Sequence, residues 1–216
     1  GFLYWIMLML FFASSSAASR VGGREKRRLE QMHERGSERD YVQVAANAGI
    51  ATLAVLLLRT TGDARFGVAA AAAFASVNAD TWSSELGVLS RRPPRSIITW
   101  RRLEPGTSGG VSPAGTLAGL AGSLFIAGWY AVAHLVPGLL STLVATASSL
   151  GTGASAGTLL LAVTLGGVAG TTTDSILGAT VQVQYRTRDG EVTERPSTNG
   201  HRNERVRGTS FITNDA

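Results

Sequence analysis

Three carboxylates stand where a membrane would place hydrocarbon. Asp80 and Glu85 lie in "NADTWSSELG" (78–87), directly after the apolar run "FGVAAAAAFASV", and Asp174 lies in "GGVAGTTTDSILGATVQ". An ionisable group inside an apolar helix is costly and by default faces a protein interior or a wet cavity. Carboxylate oxygens suit Mg²⁺, which is commonly held by one or two acids together with substrate phosphates. A second pattern supplies the complementary chemistry. The loop "PGTSGGVSP" contains Gly106, Thr107, Ser108, Gly109 and Gly110, then Ser112 as a helix N-cap and Pro113 at the first helical position. Backbone N–H groups at such a junction suit an anion, and Arg101 and Arg102 upstream offer counter-charge. The Walker lysine is missing, which excludes a P-loop nucleotide site. Acids for a cation beside donors for phosphate point to phosphoryl or nucleotidyl transfer, where positioning and charge neutralisation carry most of the catalysis.

Helical geometry constrains how these groups can meet. Asn78, Thr81 and Glu85 share one face, whereas Asp80, Ser84 and Gly87 share another about 140° round. A regular helix cannot aim Asp80 and Glu85 at one point; either it loosens near Ser83 or the two acids serve different ligands. Gly170, Asp174, Gly178 and Gln182 recur every four residues on one face. Asp174 sits seven residues before Val181, so roughly 10 Å inside that helix end at 1.5 Å per residue. Asp40, Gln43 and Asn47 form a third polar face. Each has a bland reading: solvated helix ends, Trp82 as an interfacial aromatic, or a small-residue packing stripe with one hydrogen-bonded Asp. Three segments bringing carboxylate or amide groups to the same membrane face favour a shared site over three coincidences. The three histidines, His33, His134 and His201, are scattered, and the chain has no cysteine. Thiolate metal sites, disulfides and a Cys nucleophile are thereby excluded, and no Ser-His-Asp arrangement is visible.

The elements that must position these groups are apolar helices. About 20 apolar residues cross a roughly 30 Å hydrocarbon core, and 1–19, 41–58, 66–89, 111–134 and 155–181 qualify. The basic residues are 19 Arg and Lys26, giving net charge +5. They concentrate in 20–40, in 90–110 and after 181. Five spans put these segments on one side, the cytoplasm by the positive-inside rule. The stretch 138–150 would break that pattern as a sixth span, so it is read as an outer-surface or re-entrant segment. The expected architecture is an all-α polytopic membrane helix bundle, a single integral membrane domain over 1–216. It carries a cytoplasmic connector at 20–40, a cytoplasmic Gly/Arg-rich loop at 90–112 and a cytoplasmic polar segment at 182–216. "SERD" (37–40) reads as the N-cap of the second span. The dispersed basic charge fits anionic lipid headgroups better than nucleic acid. The chain opens without an initiator Met inside an apolar run and reads as part of a longer protein.

The ordered motifs "RDYVQVAANAGIA", "NADTWSSELGVLS", "PPRSIITW", "PGTSGGVSPAGTLAGLAG", "DSILGATVQ" and "ERVRG…ND" resemble an integral-membrane family, long labelled uncharacterised, that includes the plant phytyl-phosphate kinase of tocopherol synthesis. The similarity runs from Arg39 to Asp215. The resemblance implies a multi-pass protein in the cytoplasmic membrane with a further helix beyond Ala216. It also implies conversion of an isoprenoid monophosphate to its diphosphate at the expense of a nucleoside triphosphate, CTP or ATP. The family's motif positions here are Asn47, Asn78, Asp80, Ser83, Glu85, Gly106 through Gly110, Asp174, Ser175, Gly178 and Gln182. "GTTTDS" departs from the bulkier apolar residues usual before the Asp. By their chemistry Asp80, Glu85 and Asp174 would hold Mg²⁺, and Gly106–Gly110 with Arg101 and Arg102 would hold phosphate. Asn47, Asn78, Ser83, Ser175 and Gln182 would support them, and the Gly-rich faces of the fourth and fifth spans would receive the isoprenoid tail. A lipid nucleotidyltransferase and a transporter of a phosphorylated lipid or anion are the alternatives.

Overall fold

A computed structural model describes residues 2–23, 41–103, 105, 107–135, 153–187, 190, 192–193, 196–198 and 200–208, with side chains not described at 41–47 and 192–193. The readings placed on 24–40, 138–150 and Gly106, and the side chain of Asn47, lie outside these residues. Among them are five long helices: α1 (Phe2–Arg20), α2 (Tyr41–Thr61), α3 (Ala64–Gly87), α4 (Pro113–Leu135) and α5 (Ala156–Thr180). Their positions match the five apolar segments. Three of them, α1, α4 and α5, are long and apolar enough to cross a membrane. In α2 the side chains are described from Ala48, and Ala48–Thr61 is apolar, while α3 is diluted by the polar run that begins at Asn78.

Helix α3 is the centre of the bundle and touches each of the other four. Its alanine run lets its neighbours come close, and they meet it with small residues of their own. A Cβ added at Gly122 of α4 would lie 3.0 Å from the Asn78 carbonyl, and one at Gly115 would lie 3.0 Å from the Ser83 carbonyl. On the other side Gly166, Gly167 and Gly170 of α5 approach Ala72, Ala75 and Ser76. In lipid, where no hydrophobic force drives helices together, such backbone approach maximises dispersion contact. Ser123 Oγ donates to the Thr164 carbonyl at 3.0 Å and ties α4 to α5 in mid-bundle. The rest of the core is Leu3, Tyr4, Met7 and Phe11 from α1, packed with Phe74, Ile126, Tyr130 and Val163.

Local signals set the helix ends. Asp63 caps α3 by accepting the Arg65 N–H at 2.9 Å, and Ser155 caps α5 by accepting the Thr158 N–H at 3.2 Å. Ser112 caps α4, its Oγ accepting the Gly115 N–H at 3.1 Å, with Pro113 at the first helical position as expected. Between α3 and α4 the chain forms a small antiparallel unit, β1 (Arg95–Ser96) with β2 (Gly110–Val111), and Arg102 bridges back to Arg95.

The polar segment after residue 181 carries strands that the all-α reading did not include. β3 (Gln184–Arg186) lies between β4 (Val192–Thr193) and β7 (Glu204–Arg207), while β5 (Ser197–Thr198) pairs with β6 (His201–Arg202). Alternation such as "VQVQY" and "ERVRG" is a short period-two signal, easily passed over beside five long apolar helices.

Candidate functional site

The ends of α1, α3 and α5 and the start of α4 gather at one face of the bundle. Ser19 of α1 reaches Glu85 of α3, Gly87 of α3 lies against Gly115 of α4, and Thr171 of α5 reaches Asp80 of α3. The acids divide within that face. Asp80 turns towards α5, where its carboxyl comes within hydrogen-bonding reach of the Asp174 carboxyl. The Thr171 hydroxyl donates to Asp80 Oδ1 at 3.3 Å. Glu85 turns towards α1, where Ser19 Oγ donates to its Oε1 at 2.9 Å.

The expected triad of Asp80, Glu85 and Asp174 is therefore a pair plus a separate acid. Among the described residues no group of three His, Cys, Asp or Glu side chains converges on a metal position. The reason is the one the helix period supplies: α3 runs unbroken through Ser83, so residues five apart point in different directions. Ser83 spends its hydroxyl on the Asp80 carbonyl at 2.9 Å, and Ser175 does the same to the Thr171 carbonyl at 3.1 Å. Both back-bonds sit inside the site's own helices and aim no donor into it.

Asn78 is a structural clasp. It is fully buried; its Nδ2 donates to the Gly122 carbonyl at 2.8 Å, and its Oδ1 accepts from Ser14 at 2.8 Å and from Ser15 at 3.5 Å. One side chain thus joins α1, α3 and α4.

The glycine loop lies beside the acid pair. Thr107 to Gly110 forms a turn closed by the Gly110 N–H to the Thr107 carbonyl at 3.1 Å, and it rests on the end of α5. Gly109 has φ +76°, and a Cβ there would stand 2.6 Å from Ala179 Cα, so only glycine fits both the conformation and the contact. Opposite it, a Cβ on Gly178 would be 3.1 Å from the Gly109 amide nitrogen, 3.3 Å from Ser108 Cβ and 3.3 Å from Gln182 Oε1. Gly178 thus packs closely against the Gly109 amide, Ser108 and Gln182, with no room for a side chain. Asp174 is one turn earlier on α5, about 6 Å along the axis. Gln182 is buried, and its Nε2 has no acceptor. Among the described residues the Gly109 N–H has none either. Buried donors left unpaired are rare in folded proteins and call for an explanation.

Arg101 and Arg102 are exposed on the β1 hairpin, their backbones engaged with Ser96 and Arg95. They stand on the segment that carries the loop and point to solvent. The glycine-rich faces of α4 and α5, expected to receive a lipid tail, are instead filled by α3, because Gly115, Gly119, Gly122, Gly166, Gly167 and Gly170 are the contact stripes described above. Thr171 is the site residue that sequence reasoning missed. It lies three residues before Asp174 on the same helical face, and that spacing was the available signal.

The donor set has a definite chemical character. Two carboxylates held this close repel one another, and a small hard cation between them, with the Thr171 hydroxyl nearby, would relieve the repulsion. A protein site with only two acids fits Mg²⁺, which keeps its remaining positions for water and phosphate oxygens. The Gly109 N–H and Gln182 Nε2, without acceptors among the described residues, are donors of the kind a phosphate oxygen would accept from.

Comparison with known proteins places the chain. Residues 1–216 match the family model described as integral membrane protein DUF92. The chain is similar to Protein PGR of Arabidopsis thaliana, 38% identical over 84% of this chain and 65% of that protein. It is also similar to an uncharacterized membrane protein of Methanocaldococcus jannaschii, 34% identical over 83% of this chain and 65% of that protein. An uncharacterized membrane protein of Synechocystis is 28% identical over 59% of this chain and 50% of its own length. The chain thus spans just under two thirds of the first two relatives. No solved structure matches. With the family model covering every residue and helices long enough to span a bilayer, the chain is an integral membrane protein of the DUF92 family.

Proposed function

We propose that the chain is the helical core of a membrane-embedded kinase acting on an isoprenoid monophosphate, phytyl phosphate or a related prenyl phosphate. The reading rests on one observation above the rest: Asp174, paired with Asp80, lies one helical turn before Gly178, which packs on the glycine loop, and the buried Gly109 N–H and Gln182 Nε2 nearby have no acceptor among the described residues. Asp80 and Asp174, with Thr171, would hold Mg²⁺, which when bound screens the charge of the phosphates. The Gly109 N–H and Gln182 Nε2 would fix a non-bridging oxygen of one phosphate. Arg101 and Arg102 would raise the local concentration of anionic substrate from the rim. An oxygen of the lipid monophosphate attacks the γ-phosphorus of the nucleoside triphosphate, and the bond from that phosphorus to the β–γ bridging oxygen breaks. Lipid diphosphate and nucleoside diphosphate result.

An acceptor that is already an ionised phosphate needs no strong general base, in keeping with a site built of acids, amides and hydroxyls. The site lies towards the end of α3 from which the Arg-rich hairpin leaves, and the positive-inside rule would put that end in the cytoplasm, where nucleotides are found.

The test is turnover by the purified full-length protein given Mg²⁺, CTP or ATP, and phytyl phosphate. Phytyl diphosphate and nucleoside diphosphate are expected. Pyrophosphate with a nucleotidyl-lipid would replace this reading with nucleotidyl transfer at the same site. No product from phytyl, geranylgeranyl or farnesyl phosphate would overturn it.

A further inference from the structure

We infer that the hairpin tip Ile98-Thr99-Trp100, flanked by Arg95, Arg101 and Arg102, is a docking element for anionic phospholipid headgroups of the membrane in which the protein sits. The tip is a built turn. Ser96 is buried and accepts through Oγ from the N–H groups of Ile98 and Thr99, at 3.4 and 3.2 Å, while its carbonyl accepts the Trp100 N–H at 2.9 Å. The Ser96 N–H donates to the Arg101 carbonyl at 2.9 Å, and Arg95 Nη1 donates to the Trp100 carbonyl at 3.4 Å.

What this turn presents is out of keeping with an ordinary soluble loop. Ile98 is 46% exposed and Trp100 65% exposed, and Trp100 has φ +55°. That left-handed conformation is uncommon for a bulky residue and is cheapest for glycine. A bulky indole held there in the open has no packing reason inside the protein. Beside it on the hairpin stand Arg95, Arg101 and Arg102, all exposed, and none is paired with a carboxylate among the described residues.

The two chemistries together select the partner. An aromatic ring with one polar edge prefers the headgroup level of a bilayer, and unpaired arginines beside it favour phosphate-bearing, negatively charged headgroups. The hairpin is also in the right place, since it joins the end of α3 to the start of α4 and so stands at a membrane face. A protein partner would more naturally meet a broad apolar patch than two apolar side chains inside a ring of like charges.

The tip is mechanically connected to the candidate site. The Ile97 N–H donates to the Gly109 carbonyl at 3.0 Å, and Gly109 is wedged against Ala179. Headgroup binding would therefore steady the glycine loop through the backbone.

These 216 residues contain no cysteine, which simplifies a direct test. Thr99→Cys in the full-length protein carries a nitroxide, and its accessibility to oxygen and to a water-soluble nickel complex is read in two membranes, phosphatidylcholine alone and phosphatidylcholine with phosphatidylglycerol. A second label at Glu204→Cys, exposed on the polar tail, reports the aqueous value. In the anionic membrane the Thr99 label should lose nickel accessibility several-fold while the Glu204 label stays aqueous. Adding Trp100→Ser and Ile98→Ser should return Thr99 to the aqueous value. A Thr99 label as wet as the Glu204 label in both membranes would overturn the inference. So would equal burial in both, or burial that persists in detergent without phospholipid, which would indicate a protein contact. None of these readouts depends on turnover, so they stand apart from the kinase proposal.

Discussion

Helix α3 has two polar faces with opposite characters. Towards α1 its polar groups are matched: Asn78 is satisfied by Gly122 and two serines, and Glu85 accepts from Ser19. Towards α5 two carboxyls confront each other, and across the adjacent turn an amide and a backbone N–H lack acceptors among the described residues. The first face is what a membrane bundle needs to fix helix register, because an unsatisfied polar group in lipid is expensive. The second leaves charge and hydrogen-bonding capacity unspent, and a surplus of that kind is where a ligand contributes most. Composition does not separate the faces; partners do.

The sharpest way to break this contrast is to neutralise one acid on each side. Asp80→Asn should reduce turnover by at least about a hundredfold, the scale for losing a charge-positioning group, with thermal stability in detergent at or above the parent's because the like charges no longer repel. Glu85→Gln keeps an acceptor for Ser19 and should change turnover by no more than a few-fold. Equal losses in the two variants would erase the distinction and return Glu85 to the site. Gly109→Ala comes next. Overpacking at a filled contact costs about 1–3 kcal/mol, so the variant should lose stability by thermal melt and turnover together.

On the matched face Asn78→Ala should destabilise the protein by about 1–2 kcal/mol, several membrane hydrogen bonds at about 0.6 kcal/mol each. Turnover per folded molecule should remain close to the parent's. A loss of turnover in fully folded Asn78→Ala protein would mean that both faces serve the reaction.

The smallest effect is expected at the α2–α3 link. Arg65 Nη2 lies 2.6 Å from Asp63 Oδ2, and hydrogen bonds from Arg65 hold the Asp63 carboxyl below the ordinary carboxylate range. The stabilisation is present at neutral pH and is lost as pH falls through that lowered value. The parent's slight advantage over Asp63→Asn in thermal melts should fade in acid, and an advantage independent of pH would show that the ion pair contributes nothing.

Much of this was legible beforehand for physical reasons. Helix positions follow from apolar length, and the α4 start follows from Ser112 and Pro113, because capping is local chemistry. The divergence of Asp80 and Glu85 follows from 3.6 residues per turn. Which neighbour each acid meets is a tertiary fact, and no local pattern states that α1 would bring Ser19 to Glu85 or that α3 would fill the glycine stripes. Stripes of glycine read alike whether they receive a helix or a ligand. The strands beyond Gln182 are a few residues each, too brief for periodicity to mark them.

The close seating of α3 between two glycine-lined neighbours carries a final consequence. With backbones nearly touching, the interior has no berth for a long hydrocarbon. Any lipid whose head reached Asp80 and Asp174 would leave its chain outside, among the acyl chains and along the outward leucines of α5, such as Leu161 and Leu165. A protein built this way would discriminate by the head and be nearly indifferent to the length and saturation of what trails behind it.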